Sequence, residues 1–148
     1  MTTPDKKGTF IEIACGENHT IFRLENSQLL GCGSNTYGQL GIESQDSNSA
    51  TLLKVASDVQ FDLVACGSEH SFAIASETGD LYSWGLNFKG QLGLGDFENR
   101  SEPTLVGSLY GINNANLLSS ADSNSSYARS YLVQMLQKRS KSKEPEGS

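Results

Sequence analysis

The segment Ala14-Cys-Gly-Glu-Asn-His-Thr20 occurs a second time as Ala65-Cys-Gly-Ser-Glu-His-Ser71, and this repetition decides the fold. Further along the chain, Asn35-Thr-Tyr-Gly-Gln-Leu-Gly41 recurs as Asn87-Phe-Lys-Gly-Gln-Leu-Gly93. The offset is 51 residues for the first pair and 52 for the second, because the second copy has one extra residue near Gly79. Ordered agreement of this kind is the signature of a tandem repeat with a period of about 50 residues.

Each copy has the residue pattern of a β repeat. Short apolar runs lie between clusters of Gly, Asn, Ser and Asp, and no stretch of ten residues in 8–107 keeps a helical period. We expect one strand before each Ala-Cys-Gly, two after each His, and a fourth near Thr51–Val55 and Thr104–Val106. Four short strands in about 50 residues have the size of a propeller blade. The sequence predicts an all-β fold with two four-stranded blades, at about 10–56 and 57–107, after an N-terminal arm at 1–9.

The repeated motif residues have mechanical roles in this interpretation. The glycines allow sharp turns or the close approach of another backbone, and Gln39 and Gln91 hydrogen-bond main-chain groups of their loops. Leu40 and Leu92 anchor those loops in the core. Trp84 and Tyr82 are expected on opposite faces of one strand, so that one packs between blades and the other approaches the surface. The structural motif comprises Gly16, Gly33, Gly38, Gln39, Leu40, Gly41, Gly67, Trp84, Gly85, Gly90, Gln91, Leu92 and Gly93.

The motifs carry a family resemblance. Ala-Cys-Gly-x-x-His, then Gly85, Asn87 and Gly90-Gln-Leu-Gly-Leu-Gly95, then Pro103 and Val106, resemble the repeat of the regulator of chromosome condensation family. The resemblance covers residues 10–107 and implies that the blades belong to a seven-bladed β-propeller. The first copy departs from the pattern, since it has Cys32 where the second has Trp84.

Two repeats are too few for a closed ring of seven, which needs about 350 residues at this period. Terminal repeats expose faces that a neighbour would normally bury. Four explanations for the small number of repeats compete. The chain is a piece of a longer propeller, or it completes a ring with other copies, or it is part of a larger assembly, or its tail acts as a cap. We expect other subunits or copies to cover the open blade faces.

The last part of the chain, 108–148, changes in character. A Ser/Asn-rich linker at 119–126 precedes an apolar stripe at helical spacing that includes Tyr131 and Met135, and a basic run follows at 138–143. The prediction is a short amphipathic helix that frays into a disordered basic tail. This helix either covers local apolar surface or binds a partner, and the basic run is alternatively a nuclear localisation patch.

Charge and cysteine content narrow the class of protein. Residues 1–107 hold six basic and fourteen acidic residues, a net charge of −8, which argues against a nucleic-acid partner. No apolar run is long enough to span a bilayer, so no membrane partner is expected, and the N-terminus lacks a signal-peptide core. The odd number of cysteines, three, favours free thiols in an intracellular protein, cytoplasmic or nuclear.

The sequence contains no signature of an enzyme, a metal site or a cofactor. Cys15, His19, Cys66 and His70 are zinc-ligand types, but the repeat places the two pairs in different blades. Duplicated histidines favour a structural role in which the imidazole bonds the backbone of the neighbouring blade. No Gly-x-Ser-x-Gly nucleophile elbow is present.

Two functions follow, with a non-functional fragment as a third interpretation. The first is a protein-interaction scaffold whose loops present a binding surface. The second is implied by the resemblance: guanine-nucleotide exchange on a small GTPase such as Ran, with the Gly-x-x-His turns on the docking face. The turn residues that would contact a partner are Asn18, His19, Glu69 and His70.

Overall fold

The computed structural model describes residues 8–108, which form two four-stranded antiparallel sheets with strand orders β1-β2-β3-β4 and β5-β6-β7-β8. We call the first sheet blade 1 and the second blade 2. The strands of blade 1 are β1 (Phe10–Cys15), β2 (His19–Leu24), β3 (Leu29–Ser34) and β4 (Asn48–Lys54), and those of blade 2 are β5 (Phe61–Cys66), β6 (His70–Ala75), β7 (Asp80–Gly85) and β8 (Arg100–Ser108).

These findings confirm the predicted all-β fold of two four-stranded blades. The fourth strands begin earlier than the sequence suggested, at Asn48 and Arg100, because they pair with the glycine-rich ends of β3 and β7. The described residues contain no helix that could cross a membrane. The predicted tail helix, with Tyr131 and Met135, and most of the N-terminal arm lie outside the described residues.

The two blades use the same strand register, which the repeat dictates. In blade 1, His19 pairs with Gly33, and in blade 2, His70 pairs with Gly85. Both glycines have positive φ, and a Cβ at Gly33 would lie 2.5 Å from the carbonyl oxygen of Asn18. The strand after each His turn can therefore approach the turn closely only because glycine stands there.

The hydrophobic core lies between the two sheets. Strand side chains alternate between faces, so each strand of blade 1 directs one set of residues toward blade 2. The buried cluster joins residues of both blades: Ile21, Leu29, Leu40, Ile42 and Val55 from blade 1, with Phe61, Val64, Cys66, Ala73 and Trp84 from blade 2 and its flank. The blades are thus one packed unit, with their faces in contact.

The structure corrects one expectation about β7. Tyr82 and Trp84 are two residues apart and lie on the same face of the strand, because strand side chains alternate with a period of two. Both rings contact Phe61, with centroid distances of 5.6 Å and 6.4 Å. Trp84 is fully buried at the junction between the blades, and Tyr82 packs against the same core.

Candidate functional site: the blade junction and its loops

The hydroxyl of Ser71 is the polar centre of the blade junction. It lies 3.0 Å from Nε2 of His19 in blade 1 and donates a hydrogen bond of 2.8 Å to the main-chain oxygen of Gln39. All three residues are buried. Because the single hydroxyl proton goes to Gln39, the Nε2–H of His19 must be the donor to Ser71. The imidazole therefore reaches the neighbouring blade, as expected, but its partner is a side-chain hydroxyl.

Burial keeps this imidazole neutral. Desolvation lowers the pKa of His19 to about 4, with a smaller opposing contribution from the main chain of His70. A histidine with such a pKa neither takes nor gives a proton near neutral pH. The arrangement suits a structural hydrogen bond and does not suit acid–base catalysis.

Gly16 makes room for the His19 ring. A Cβ on Gly16 would clash with the ring itself and would lie 2.7 Å from the main-chain oxygen of Gly67. Gly16 thus allows the turn of blade 1 to pack against its own histidine and against blade 2.

Main-chain and carboxylate contacts complete the junction. The Oε1 atom of Glu12 accepts hydrogen bonds from the Val64 amide at 2.8 Å and from Nε of Arg23 at 3.1 Å. The amide of Glu17 donates to the oxygen of Ser68 at 2.9 Å, which ties the two His-containing turns together. These turns therefore lie side by side at one edge of the molecule.

The Gly-Gln-Leu-Gly loop of blade 1 packs directly on blade 2. A Cβ on Gly38 would lie 2.6 Å from the main-chain oxygen of Arg100, and one on Gly41 would lie 2.8 Å from Nε1 of Trp84. Within the loop, Oε1 of Gln39 accepts a 2.8 Å bond from the Tyr37 amide. In the equivalent loop of blade 2, Oε1 of Gln91 accepts a 2.9 Å hydrogen bond from the Lys89 amide.

A buried asparagine, for which the sequence predicted no role, organises each of these loops. Asn35 donates to the oxygens of Ser44 and Asp46, and its own oxygen accepts from the Leu40 amide. Asn87 repeats the arrangement with Asp96, Glu98 and Leu92. The shared offset of 52 residues between Asn35 and Asn87 was the available signal.

The four turn residues predicted to bind a partner have different environments. Asn18 is exposed and Glu69 is half-buried, whereas His19 and His70 are buried. That Asn18 and Glu69 contact a partner stays a prediction. That His19 and His70 contribute to partner binding also stays a prediction. Tyr131 and Met135 lie outside the described residues.

His70 differs from His19 although the two occupy the same repeat position. Its ring is fully buried and makes an edge-on contact with Phe72 at 5.1 Å. Neither ring nitrogen has a hydrogen-bond partner. Burial, with a smaller contribution from His19, lowers the pKa of His70 to about 4.

The face of blade 1 that points away from blade 2 is partly open. We call it the outer face, and it consists of Ile13, Cys15, Thr20, Phe22, Leu30 and Cys32, which alternate with the core residues of β1, β2 and β3. Ile13 is 58% exposed and Cys15 is also exposed. The equivalent residues of blade 2 begin with Val64 and Cys66, which are buried against blade 1.

The three cysteines are free, and residues 8–108 hold no group of three or more His, Cys, Asp or Glu side chains that could bind a metal. Burial raises the pKa of the Cys66 thiol to about 12, so this thiol stays protonated. Its Sγ lies 3.5 Å from the main-chain oxygen of Ala14. Cys66 is therefore a packing residue of the junction.

The fold and junction define a protein built from propeller-type repeats. Two models of the regulator of chromosome condensation (RCC1) repeat match the chain, one at residues 26–74 and 78–116 and the other at 10–39 and 61–91. The chain belongs to the RCC1 repeat family.

Similar proteins include much longer chains. The chain is 40% identical over 101 residues to the probable E3 ubiquitin-protein ligase HERC4 of Rattus norvegicus, covering 67% of this chain and 10% of that protein. It is 38% identical over 92 residues to the human X-linked retinitis pigmentosa GTPase regulator, covering 62% of this chain and 9% of the relative. The chain thus spans about a tenth of the length of these relatives.

A solved propeller shows the same arrangement of blades. The structure of Prp20p from Saccharomyces cerevisiae, described with its binding properties to Gsp1p and histones, matches with a TM-score of 0.63 and 27% identity. The match covers 75% of this chain and 28% of that one.

Proposed function

We propose that the chain is a protein-interaction scaffold whose binding surface is the edge formed by the two His-containing turns. The observation that carries the proposal is the bond from the Glu17 amide to the Ser68 oxygen, which holds the two turns side by side. The buried junction beneath them fixes their relative position. Rigid elements that display adjacent loops are the usual basis of a recognition surface.

The chemistry of this edge indicates the type of partner. Glu17 is exposed and Glu69 is half-buried, so each turn contributes a carboxylate beside its histidine. Two carboxylates on adjacent turns suit a partner with a basic surface, because complementary charges accelerate association and select partners. Free thiols at Cys15, Cys32 and Cys66 support action in a reducing compartment, the cytoplasm or nucleus.

Affinity capture from a cell extract with charge-reversed variants tests the scaffold. The double variant Glu17→Lys, Glu69→Lys should lose the partners that the wild type retains. Glu77→Lys is the matched control, since Glu77 is exposed in the turn at the opposite end of β6. Equal capture by the wild type and the double variant would exclude this edge as the binding surface.

The same experiment on a chain without residues 119–148 tests the proposed contribution of Tyr131 and Met135. Loss of partners from the shortened chain, with the turn edge intact, would assign them to the C-terminal segment. An identical partner set would exclude that segment as a docking element.

Regulation of a small GTPase is the second candidate. It is supported by the similarity to a GTPase regulator and to Prp20p, which was studied with Gsp1p. Exchange activity would appear as faster release of labelled GDP from Ran, Rab or Arf proteins at catalytic amounts of the chain. The scaffold proposal expects no acceleration. Acceleration that Glu69→Lys abolishes and Glu77→Lys retains would favour the exchange factor.

A further inference from the structure

A groove of about 470 Å³ lies between the two blades, and we call it the interblade groove. Its walls come from the loop after β3, from β4 and the segment that follows it, and from β8. None of its lining residues belongs to the His-containing turns. Both walls belong to the packed pair of blades, so a further blade on either side would leave them in place. Its volume is in the range of cavities that bind ligands.

The floor of the interblade groove is apolar. Ile42 and Val55 line the groove and belong to the core cluster between the blades, with only 3% and 2% of their surface exposed. Leu53 of β4 also lines the groove and is 36% exposed. Such a floor suits the methylene groups of a long side chain whose end is polar.

The rim of the interblade groove is acidic. Glu43, Asp58 and Glu102 line it and are exposed, and Lys54 is the one basic residue of the lining, which gives a net formal charge of −2. Within residues 8–108, no side chain forms an ion pair or a hydrogen bond with any of these three carboxylates. An apolar floor beneath unpaired carboxylates is complementary to a side chain that ends in a cation.

The fold itself does not require these carboxylates. Gly95 stands in blade 2 at the position of Glu43, 52 residues further along the chain. The registers of β4 and β8 place Thr51 of blade 1 at the position of Glu102. Both blades form the same four-stranded sheet, although the two acidic residues are not repeated. The acidic rim is therefore a property of this junction, and it indicates recognition.

A free strand edge accompanies the groove. β4 lies at the end of its sheet, and none of the other described strands pairs with its far side. The Val55 amide donates to the main-chain oxygen of Leu29, and Lys54 faces Leu30 in the same ladder. Because bonded and non-bonded pairs alternate along an antiparallel ladder, the main-chain N–H and C=O of Lys54 point away from β3. An unpaired edge of this kind is a template for an extended segment of another chain.

We propose that the interblade groove binds an extended segment of a partner protein, with an arginine side chain of that segment between the three carboxylates. The methylene groups of this arginine pack on Ile42 and Val55, and the main chain of the segment pairs with the edge of β4 at Lys54. Arginine suits the rim better than lysine, because its planar guanidinium presents five N–H donors that serve several carboxylates at once. This site is separate from the turn edge proposed above as the scaffold surface, and it does not depend on that proposal.

Fluorescence anisotropy with a short labelled peptide tests the requirement for a guanidinium. The peptide has one central arginine flanked by valines, and the control peptide has citrulline, a neutral group of the same shape, in place of the arginine. The full chain should bind the arginine peptide about ten-fold more tightly than the citrulline peptide, since charge-assisted hydrogen bonds are the stronger ones. Equal affinity for the two peptides would overturn the proposal.

Charge-neutral variants locate the site. Glu43→Gln and Glu102→Gln should each weaken binding of the arginine peptide about five-fold. The matched control is Glu25→Gln, because Glu25 is also exposed but does not line the groove, and it should bind like the wild type. Each variant should keep the buried-type fluorescence of Trp84, since the changed residues are exposed. Wild-type affinity in Glu43→Gln and Glu102→Gln would overturn the proposal.

The double variant Glu17→Lys, Glu69→Lys separates this site from the turn edge. It should bind the arginine peptide like the wild type at about 0.15 M salt, where charges more than about 8 Å apart are largely screened. Loss of peptide binding in this variant alone would place the peptide at the turn edge and overturn the groove site. Peptide binding at the groove would stand even if the turn edge captured no partner.

Hydrogen exchange distinguishes an extended segment from a small cation. Exchange of the Lys54 amide should slow about ten-fold when the arginine peptide binds, because pairing with the peptide gives this N–H an acceptor. Spermidine, which carries charge but no peptide main chain, should leave the Lys54 amide unchanged. An unchanged Lys54 amide with the arginine peptide bound would overturn the proposed strand pairing and would assign the groove to small cations.

Discussion

At the residue scale, the two histidines show how position in a repeat decides the energetics of a side chain. His19 has its Nε2 atom 3.0 Å from the Ser71 hydroxyl, while His70 is buried with no partner for either ring nitrogen. A buried polar group without a partner costs about 1–3 kcal/mol of stability. The two imidazoles therefore have the same chemistry, but His19 pairs one of its ring nitrogens and His70 pairs neither.

Both imidazoles make stability depend on pH. Their pKa values are about 4 in the folded chain against 6.5 for an ordinary histidine, so the unfolded state binds more protons between these values. The free energy of unfolding should be highest above pH 6.5 and should fall as the pH approaches 4, by up to about 3 kcal/mol per histidine.

Urea unfolding at pH 7, 6, 5 and 4.5 measures this dependence. His70→Leu should reduce the slope by about half. Asp96 contributes to the pH dependence only at lower pH. Hydrogen bonds from Arg100 lower the pKa of its carboxyl, so the stabilisation by the Asp96 carboxylate is lost only below pH 3.8. A free energy that stays constant from pH 6.5 to 4.5 would contradict the prediction.

Two glycines of the same conformation should differ in their response to alanine. Gly41 and Gly95 both have positive φ, which costs an alanine about 1–2 kcal/mol. At Gly41 the new Cβ would also lie 2.8 Å from Nε1 of Trp84, which adds an overpacking cost of about 1–3 kcal/mol. Thermal unfolding should therefore show a larger loss for Gly41→Ala, and equal losses would contradict the proposed close contact.

At the scale of elements, the loops after β3 and β7 are ordered by buried amide side chains. In the second loop the Nδ2 atom of Asn87 donates to Asp96 and Glu98, and its Oδ1 atom accepts from the Leu92 amide. This one side chain therefore replaces the main-chain pairing that a strand would supply.

Asn87→Ala should open this loop locally. It leaves the buried Leu92 amide without its acceptor and removes the bonds to the main-chain oxygens of Asp96 and Glu98, with an expected loss of about 2–4 kcal/mol. Hydrogen exchange of the Leu92 amide should accelerate by at least 100-fold. The matched control is Asn26→Ala, which removes an exposed bond to the Gln28 amide and should change stability by less than about 1 kcal/mol.

The elements themselves were largely predictable from sequence, and their contacts were less so. The repeat predicts eight strands, because each apolar run of 10–107 ends at a turn residue. The role of Asn87 was not predicted, since a buried asparagine looks like a turn residue until its acceptors at Asp96 and Glu98 are known. Likewise the partner of His19 comes from a segment 52 residues away, and sequence alone does not show which hydroxyl faces it.

At the scale of the whole molecule, one core joins the two sheets. Ile21 and Leu40 of blade 1 pack in the same buried cluster as Val64 and Trp84 of blade 2. Neither blade can unfold without exposing apolar surface of the other, so unfolding of residues 8–108 should be a single cooperative transition.

Ser71→Ala tests this cooperativity. It removes the partner of two buried groups, His19 and the oxygen of Gln39, and should lower stability by about 2–5 kcal/mol. Trp84 fluorescence and far-UV circular dichroism should shift together in urea, since the junction holds both blades. Two separate transitions in the wild type or the variant would show that the blades unfold independently.

The hydrogen bond from His19 to Ser71 also has a genetic consequence. The donor and the acceptor belong to successive units, and each unit encodes an imidazole for the unit after it and a hydroxyl for the unit before it. An in-frame duplication or deletion of one unit would leave every new boundary with a matched donor and acceptor. Genes that encode such chains can therefore change length by whole units without new compensating mutations at the boundaries.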